Sequence, residues 1–389
     1  MKPVLRWIFA GGLLVLQSGY AVAQTAAPGP TPSPLVAPIA LADDTDTTWS
    51  LPNRSRVNEG TVTVTTEPAG GAMSVFGSDL ARVLDNDTVR VLPVQGKGPV
   101  QNVVDVLFLK SIDMGLVTSD VPEFYKLQYK MPEVASNIRY IAKLYNSEIH
   151  IVAPTWIKSI SDLEGKRIVA STDLGYYSAK VIFSRLGIKA TFDHRTDDAA
   201  AIQKVINGEA DAYITNAGKV FQLAREIKNE TRLLHLVAIP YDSRLQDLYL
   251  PTTLSSDDYP NLLGPCESVD TIATSVMLVS FNWPENSERY NRVAKFVTAF
   301  FSKIGEFQKP PRHPKWDEAS ISVNVPGWQR FKAAQDWLDH NPSGGSASTQ
   351  NSSEEFKQFV SRRTDRAELS HDQLTKLFSD FLEWKRGRR

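Results

Sequence analysis

The chemistry-bearing residues of this sequence gather where a strand pattern gives way to a helix pattern. The first such place is "TTEPAGGAMS", in which Thr66 and Glu67 are followed by Gly70 and Gly71. Glycines let the backbone approach a ligand closely, and a helix start offers unpaired N–H groups at the positive end of its dipole. That is anion-binding chemistry, yet Glu67 puts a negative charge into the turn. The second place is "GLVTSDVPEFY", with Thr118, Ser119 and Asp120 just after a strand. The third is "VASTDLGYYSAK", where Ser171, Thr172 and Gly175 lead into Tyr176 and Tyr177. The fourth is "YITNAGKVF", where Asn216 stands before a predicted helix. In open parallel sheets ligands sit beyond the carboxyl ends of the strands, so these junctions are candidate walls of a cleft. Each alone has a plainer reading as a helix cap, a tight turn or aromatic packing. Their recurrence in two successive series favours binding.

Catalysis has little support. The six histidines at 150, 194, 235, 313, 340 and 371 are isolated from one another and from Cys266. There is no HExxH and no Cys pair, so neither a metal nor a cofactor is expected. No GxSxG elbow is present, and "QGKGP" (95–99) lacks the glycine spacing and the Ser/Thr of a phosphate-binding P-loop. The expectation is a binding protein and not an enzyme. With 43 basic against 44 acidic residues, nucleic acid is not an expected partner.

The elements that must position these residues alternate. "TVTVTT" (61–66) has the two-residue period of a strand, and Met73, Phe76, Leu80, Val83 and Leu84 fall on one helical face. "VRVLPV" (89–94), the helix 100–110 and "IDMGLVT" (112–118) continue the series. "IRYIAKLY" (138–145) and "HIVA" (150–153) read as two further strands. From Ser161 a second series runs through a short capped turn, a strand, and a helix that ends at Gly187. Then come "KATFD", a helix capped by Asp197, "DAYIT" (211–215), the helix "AGKVFQLAREIKN" and the strand "LLHLVAI" (233–239). Such alternation predicts parallel sheets with crossover helices, in two α/β lobes. The segment 276–340, with helices around 286–304 and 327–339, is expected to return to the first lobe, so that two strands cross between lobes.

The N-terminus reads as an export signal: Lys2 and Arg6, a short apolar core from Trp7 to Leu16, and "AVA" at 21–23. The predicted location is the periplasm, with an uncleaved membrane anchor as the alternative. A single cysteine forms no internal disulfide, which suits a bacterial periplasmic protein. Residues 24–57 read as a Pro-rich linker, 58–149 as the first part of lobe 1, 150–255 as lobe 2 and 256–341 as the return to lobe 1. Residues 342–353 read as a second linker, and 354–389 as an amphipathic helical tail with an unassigned partner.

On these residues the chain resembles the TAXI-type solute-binding subunits of TRAP transporters, within the type II periplasmic-binding-protein fold. Thr66, Gly70, Gly71, Gly77, Leu80 and Ala81 fit that family's first loop, TGGTGGxYYPxGxxLA. Asn102, Asp113 and Asp120 fit its asparagine-helix, G-x-x-D strand and polar turn. "IRYIAKLYNSEIHIVA", "SISDLEGKRIVAS", "INGEADAYITNAG" and "PGWQRFKAAQDWL" resemble family stretches in the same order. Glu67 and Pro68 stand where that family has glycines, Met73, Ser74 and Val75 where it has Tyr-Tyr-Pro, and "TDLGYY" where it has GSGT. The resemblance implies an α/β two-lobed fold with a helical C-terminal extension. It also implies an exported monomeric receptor that closes on a small organic acid or amino acid and delivers it to a TRAP-type permease. The implied ligand-binding set is Thr66, Glu67, Gly70, Gly71, Met73, Asn102, Thr118, Asp120, Ser171, Thr172, Gly175, Tyr176, Tyr177 and Asn216. The altered first loop leaves a second reading, a sensing or scaffold protein that reuses the fold and contacts a partner through its tail.

Overall fold

The computed structural model describes residues 58–341 apart from 87, 171–172, 195–196 and 230–231. The export signal, the first linker, the tail, Ser171 and Thr172 lie outside the described residues. The first series runs β1 (Thr61–Thr65), α1 (Ala72–Leu84), β2 (Arg90–Val94), α2 (Pro99–Phe108), β3 (Met114–Thr118) and α3 (Val121–Tyr129). A long strand β4 (Ile138–Pro154) follows. The second series is β5 (Arg167–Ala170), α4 (Asp173–Leu186), β6 (Thr191–Asp193), α5 (Asp198–Ile206), β7 (Ala212–Ala217), the single turn α6 (Gln222–Arg225) and β8 (Leu234–Leu236). The chain returns through β9 (Leu250–Ser255), β10 (Ser268–Phe281), α7 (Glu288–Ser302) and α8 (Lys332–His340).

The class is mixed α/β, as the alternation requires. The strands join one ten-stranded sheet whose main path is β2-β1-β3-β10-β4-β7-β5-β6. Its two ends are parallel: β1 pairs β2 and β3, and β5 pairs β6 and β7. Its middle is antiparallel, because β10 pairs β3 and β4, and β4 pairs β7. Two long strands therefore belong to both ends and tie them into one sheet.

Two sequence expectations are corrected here. The pieces 138–145 and 150–153 are one strand, not two. The polar residues Asn146, Ser147 and Glu148 between those pieces are extended and paired with Ser275, Thr274 and Ala273 respectively on β10. The helix expected from 217 shrinks to Gln222–Arg225. Two amides upstream of that turn are already bound: Lys219 N–H donates to Glu148 Oε2 at 2.5 Å, and Phe221 N–H donates to the Tyr259 hydroxyl at 2.9 Å. Local signals hold elsewhere. Gly187 takes φ +74° just after α4, and Asp197 Oδ1 accepts the Ala200 amide at 2.9 Å.

Three apolar clusters fill the layers. One, under α1 and α7, holds Met73, Phe76, Leu80, Tyr145, Phe296, Phe300 and Trp316. Phe76 stacks on Trp316 at 4.2 Å between ring centroids. A second joins α2 and α3 to α4 through Val103, Phe124, Ile151, Ile182 and Met277. A third lies against α5. The second cluster takes residues from both series, so the two α/β halves are packed against one another along α3 and α4.

Candidate functional site

The first loop folds back on itself. Gly70 has φ +98°, a conformation open to glycine, and Gly71 precedes α1 in extended backbone. This turn brings Glu67 over the helix start, where Glu67 Oε1 accepts the Met73 amide at 2.7 Å. A Cβ on Gly71 would collide with the Glu67 carboxylate, so the glycine makes the space that the side chain fills. Burial nonetheless pushes the Glu67 carboxyl above its ordinary range, partly offset by the Met73 amide. The helix start thus carries a negative charge from within the chain. Thr66 is tied to β2: its amide donates to Val94 O at 3.0 Å and its hydroxyl to Glu67 O at 3.1 Å.

Asn102 lies under this loop, fully buried. Its Nδ2 donates to Leu116 O at 2.7 Å, and its Oδ1 accepts the Thr65 hydroxyl at 3.1 Å. It fixes α2 against β1 and β3. Gly96 leaves room for that knot, since a Cβ there would strike Asn102, Thr65 and Thr66.

The second junction is a meeting point of both halves. Asp120 is 2% exposed and accepts three hydroxyls: Thr118 Oγ1 at 2.7 Å, Ser178 Oγ at 2.6 Å and Tyr249 OH at 3.1 Å. Thr118 ends β3 and Asp120 follows it, whereas Ser178 comes from α4. Burial raises the Asp120 carboxyl above its ordinary range, and the three hydroxyls pull it back. The network continues from Ser178, whose oxygen accepts Asn216 Nδ2 at 2.8 Å. Asn216 Nδ2 also donates to Thr274 Oγ1 on β10 at 3.1 Å. Neighbouring Ser119 is locked on every side. Its amide donates to Ser275 O at 2.9 Å, its hydroxyl to Leu248 O at 2.9 Å, and its carbonyl accepts Trp328 Nε1 at 3.1 Å.

A buried ion cluster sits on the shared strand β4. Lys315 Nζ donates to Glu148 Oε1 at 3.1 Å, Glu318 Oε1 at 3.0 Å and Asn146 O at 2.8 Å. Glu148 also holds the Lys219 amide of the second half, so it bridges the return segment and the second series. Burial pushes the Glu148 carboxyl up despite Lys315. It pushes the Tyr145 hydroxyl well up, and Glu67, Glu148 and Glu318 push it further. That shared influence puts the first loop and the ion cluster in the same electrostatic surroundings. Next along β4, His150 is fully buried, and burial lowers it from 6.5 to about 4. The Tyr259 hydroxyl accepts the Phe221 amide and so donates to His150 Nε2 at 2.6 Å, leaving Nδ1–H to donate to Glu148 O at 3.0 Å.

Of the residues singled out in the sequence, Thr118, Asp120 and Asn216 are brought into one hydrogen-bonded network. Thr66, Glu67, Gly70, Gly71 and Met73 form the loop and helix start beside Tyr145. Gly175 is buried in the first turn of α4. Tyr177 packs on Phe124 of α3 at 4.4 Å between centroids, and Tyr176 stacks on His194 at 4.0 Å. Sequence reasoning passed over Ser178, Tyr249, Thr274, Tyr145, Glu148 and Lys315. One of these left a signal: Glu148 stands two residues before His150, on the same face of a strand whose neighbouring positions Ile149, Ile151 and Val152 are apolar.

A model of the NMT1-like family matches residues 64–290, and the chain belongs to that family. Among solved structures, holo ArgBP from T. maritima is 12% identical, covering 66% of this chain and 95% of that one at a TM-score of 0.37. A TctC solute binding protein from Polaromonas is 15% identical, covering 63% and 88% at 0.37. An ancestral amino acid-binding protein, a precursor of cyclohexadienyl dehydratase, is 16% identical, covering 69% and 98% at 0.37. At scores this low the likeness lends no weight to a function. No curated protein matches the chain. Among the described residues no helix is long and apolar enough to cross a membrane, and no group of three or more His, Cys, Asp or Glu could hold a metal ion.

Proposed function

We propose that this chain is a periplasmic solute-binding receptor of the TAXI type, which holds a small organic acid or amino acid between its two α/β halves and delivers it to a TRAP-type permease. The observation that carries this reading is the meeting at Asp120, where hydroxyls from both halves converge on one buried carboxylate. Two shared strands, β4 and β10, are suited to act as the hinge, because a change in their twist moves one half against the other without breaking either end of the sheet. Binding would rest on hydrogen bonds and backbone amides, without covalent chemistry. The test is native mass spectrometry of the purified protein, backed by a thermal-shift screen of metabolites. A retained small molecule, or a raised melting temperature with one compound, is the expected result, since binding to the folded state alone adds stability. Bare protein and a flat screen would sink the reading.

A second reading, a sensing or scaffold protein, is favoured by one feature. The Glu67 carboxylate already takes the amide at the start of α1. A receptor with that seat filled would have lost part of its pocket, and the flat screen above is the outcome that this reading expects.

A further inference from the structure

The hydroxyl network around Asp120 has a direction, and the direction leaves one atom over. Three hydroxyls donate to the Asp120 carboxylate, among them Ser178 Oγ at 2.6 Å. The Ser178 hydrogen is thereby committed, so toward Asn216 its oxygen can only accept. Thr274 Oγ1 likewise points its hydrogen at Ser147 O, 3.4 Å away, and accepts from Asn216. The Asn216 amide must therefore turn its NH2 to these two hydroxyls, and flipping it would set acceptor against acceptor. Its other end, Oδ1, is then fixed by geometry. Asn216 is 4% exposed, and its Oδ1 is buried with no hydrogen-bond partner among the described residues. Buried polar atoms are almost always satisfied, and an unmet acceptor costs stability. This one lies at the carboxyl end of β7, which runs parallel to β5 and antiparallel to β4, and ligands of open α/β sheets bind beyond the carboxyl ends of such parallel-paired strands.

We propose that Asn216 Oδ1 is the ligand-reading acceptor of this protein and that the ligand brings it an ammonium group. The proposal rests on the receptor reading above and names the class of solute. What Oδ1 lacks is a donor, which excludes a carboxylate at this point. The network itself holds the Asp120 carboxylate and the first loop holds Glu67, while the ammonium groups of Lys315 and Lys219 are engaged, the first by Glu148 and Glu318 and the second by Asp258. A positive donor suits that field better than a neutral one, because a hydrogen bond from a charged group is the stronger kind. An amino acid or a simple amine fits, and an organic acid without an amine does not.

The experiment is isothermal titration calorimetry of the full chain against matched sets: an amino acid, its decarboxylated amine, its des-amino acid and the corresponding hydroxy acid, for each common side chain. The expected result is binding by at least one amino acid or amine, with the des-amino and hydroxy acids at least tenfold weaker. Asn216→Ala should then weaken the amine-bearing ligand about tenfold or more, the usual weight of a hydrogen bond to a charged group. Should Asn216→Ala fail to fold, nuclear magnetic resonance of the wild-type side-chain amide of Asn216 replaces it, and its carbonyl signal should shift on adding the bound amine. A des-amino or hydroxy acid that binds as tightly overturns the proposal. So does an unchanged affinity in Asn216→Ala, an unmoved carbonyl signal, or a panel with no binder, which would leave Oδ1 to an ordered water. A metabolite of another class retained in native mass spectrometry would overturn the ammonium alone and leave the receptor reading standing.

Discussion

The loop Thr66–Gly71 and the Asn216 junction solve opposite problems. The loop precedes a helix whose first amides need an acceptor, and the chain supplies one from six residues upstream, Glu67 to Met73. The junction has acceptors in surplus: Asp120 takes three hydroxyls, Ser178 and Thr274 are drawn into line, and Asn216 Oδ1 is left without a donor. One place is closed by its own side chain, and the other is incomplete. A strand–glycine–helix pattern is therefore weak evidence for a ligand when a carboxylate lies within reach of the helix start. A one-way chain of hydrogen bonds that ends on a buried atom is stronger evidence.

The comparison is broken most severely at Asp120. Asp120→Ala leaves three buried hydroxyls without their acceptor, and we expect a loss of about 3 kcal/mol in urea unfolding, from the typical cost of unmet buried groups. Asp120→Asn should cost less, since one acceptor oxygen remains. A change in Asp120→Ala below experimental error would mean that the halves are not tied through this carboxylate.

The next largest effect is that of acid. His150 titrates near 6.5 when unfolded and about 4 when folded. The unfolded chain therefore binds the extra proton first. The stability that neutral His150 confers is complete above 6.5, falls as pH drops through 6.5, and levels off below about 4. The loss amounts to roughly 3 kcal/mol at most. Tyr259→Phe removes the hydroxyl that donates to Nε2, so the neutral ring loses a partner, its folded pKa moves back toward the ordinary value and the acid loss should become shallower; the unmet Phe221 amide lowers stability equally at every pH. Melting temperatures from pH 7 to pH 4 check the first statement, and the same series on the variant checks the second.

At the first loop the effects are smaller. Glu67→Ala removes a carboxylate from the start of α1 and should cost about 1 kcal/mol, the usual value for a lost helix cap. Its pH dependence has the opposite sign to that of His150. The folded Glu67 holds its proton more tightly than the ordinary 4.5, so its contribution is greatest in acid and declines as pH rises through 4.5 to the raised folded value. Glu67→Gln should remove that slope while keeping an acceptor for the Met73 amide, and an unchanged slope would place Glu67 outside the titrating set. The smallest expected effect is that of Gly71→Ala. Its Cβ displaces the Glu67 carboxylate, and the loss should not exceed that of Glu67→Ala. A double variant no worse than Glu67→Ala alone would show that the two act through one contact.

Much of the fold was legible because its signals are short-ranged. The two-residue period of 61–65, the apolar face of α1, the Asp197 cap and the left-handed Gly187 each depend on residues within a turn of one another. So does the order of strands and helices that predicts an α/β class with two crossing strands. The candidate site was legible only in part. Thr118, Asp120 and Asn216 stood out as polar residues after strands, but Ser178 is one hydroxyl among many on a helix. Tyr249 and Thr274 stand more than a hundred residues away from Asp120.

By itself the sequence determined which segments are strands and helices, where most of them stop, and that Glu67 stands in a glycine turn. Local periodicity, caps and backbone freedom suffice for that. Only the tertiary structure decided that β4 runs unbroken through Asn146–Glu148, because β10 pairs its backbone there and the Glu148 carboxylate is met by Lys315 and the Lys219 amide. It alone decided that α6 is a single turn, because two amides upstream of it bind buried acceptors on distant elements. It alone set the orientation of the Asn216 amide, through Ser178 and Thr274, neither of which is near it in sequence. In each case the reason is the same: a buried polar group must be satisfied by whatever the fold brings beside it, and sequence neighbours do not reveal what that will be.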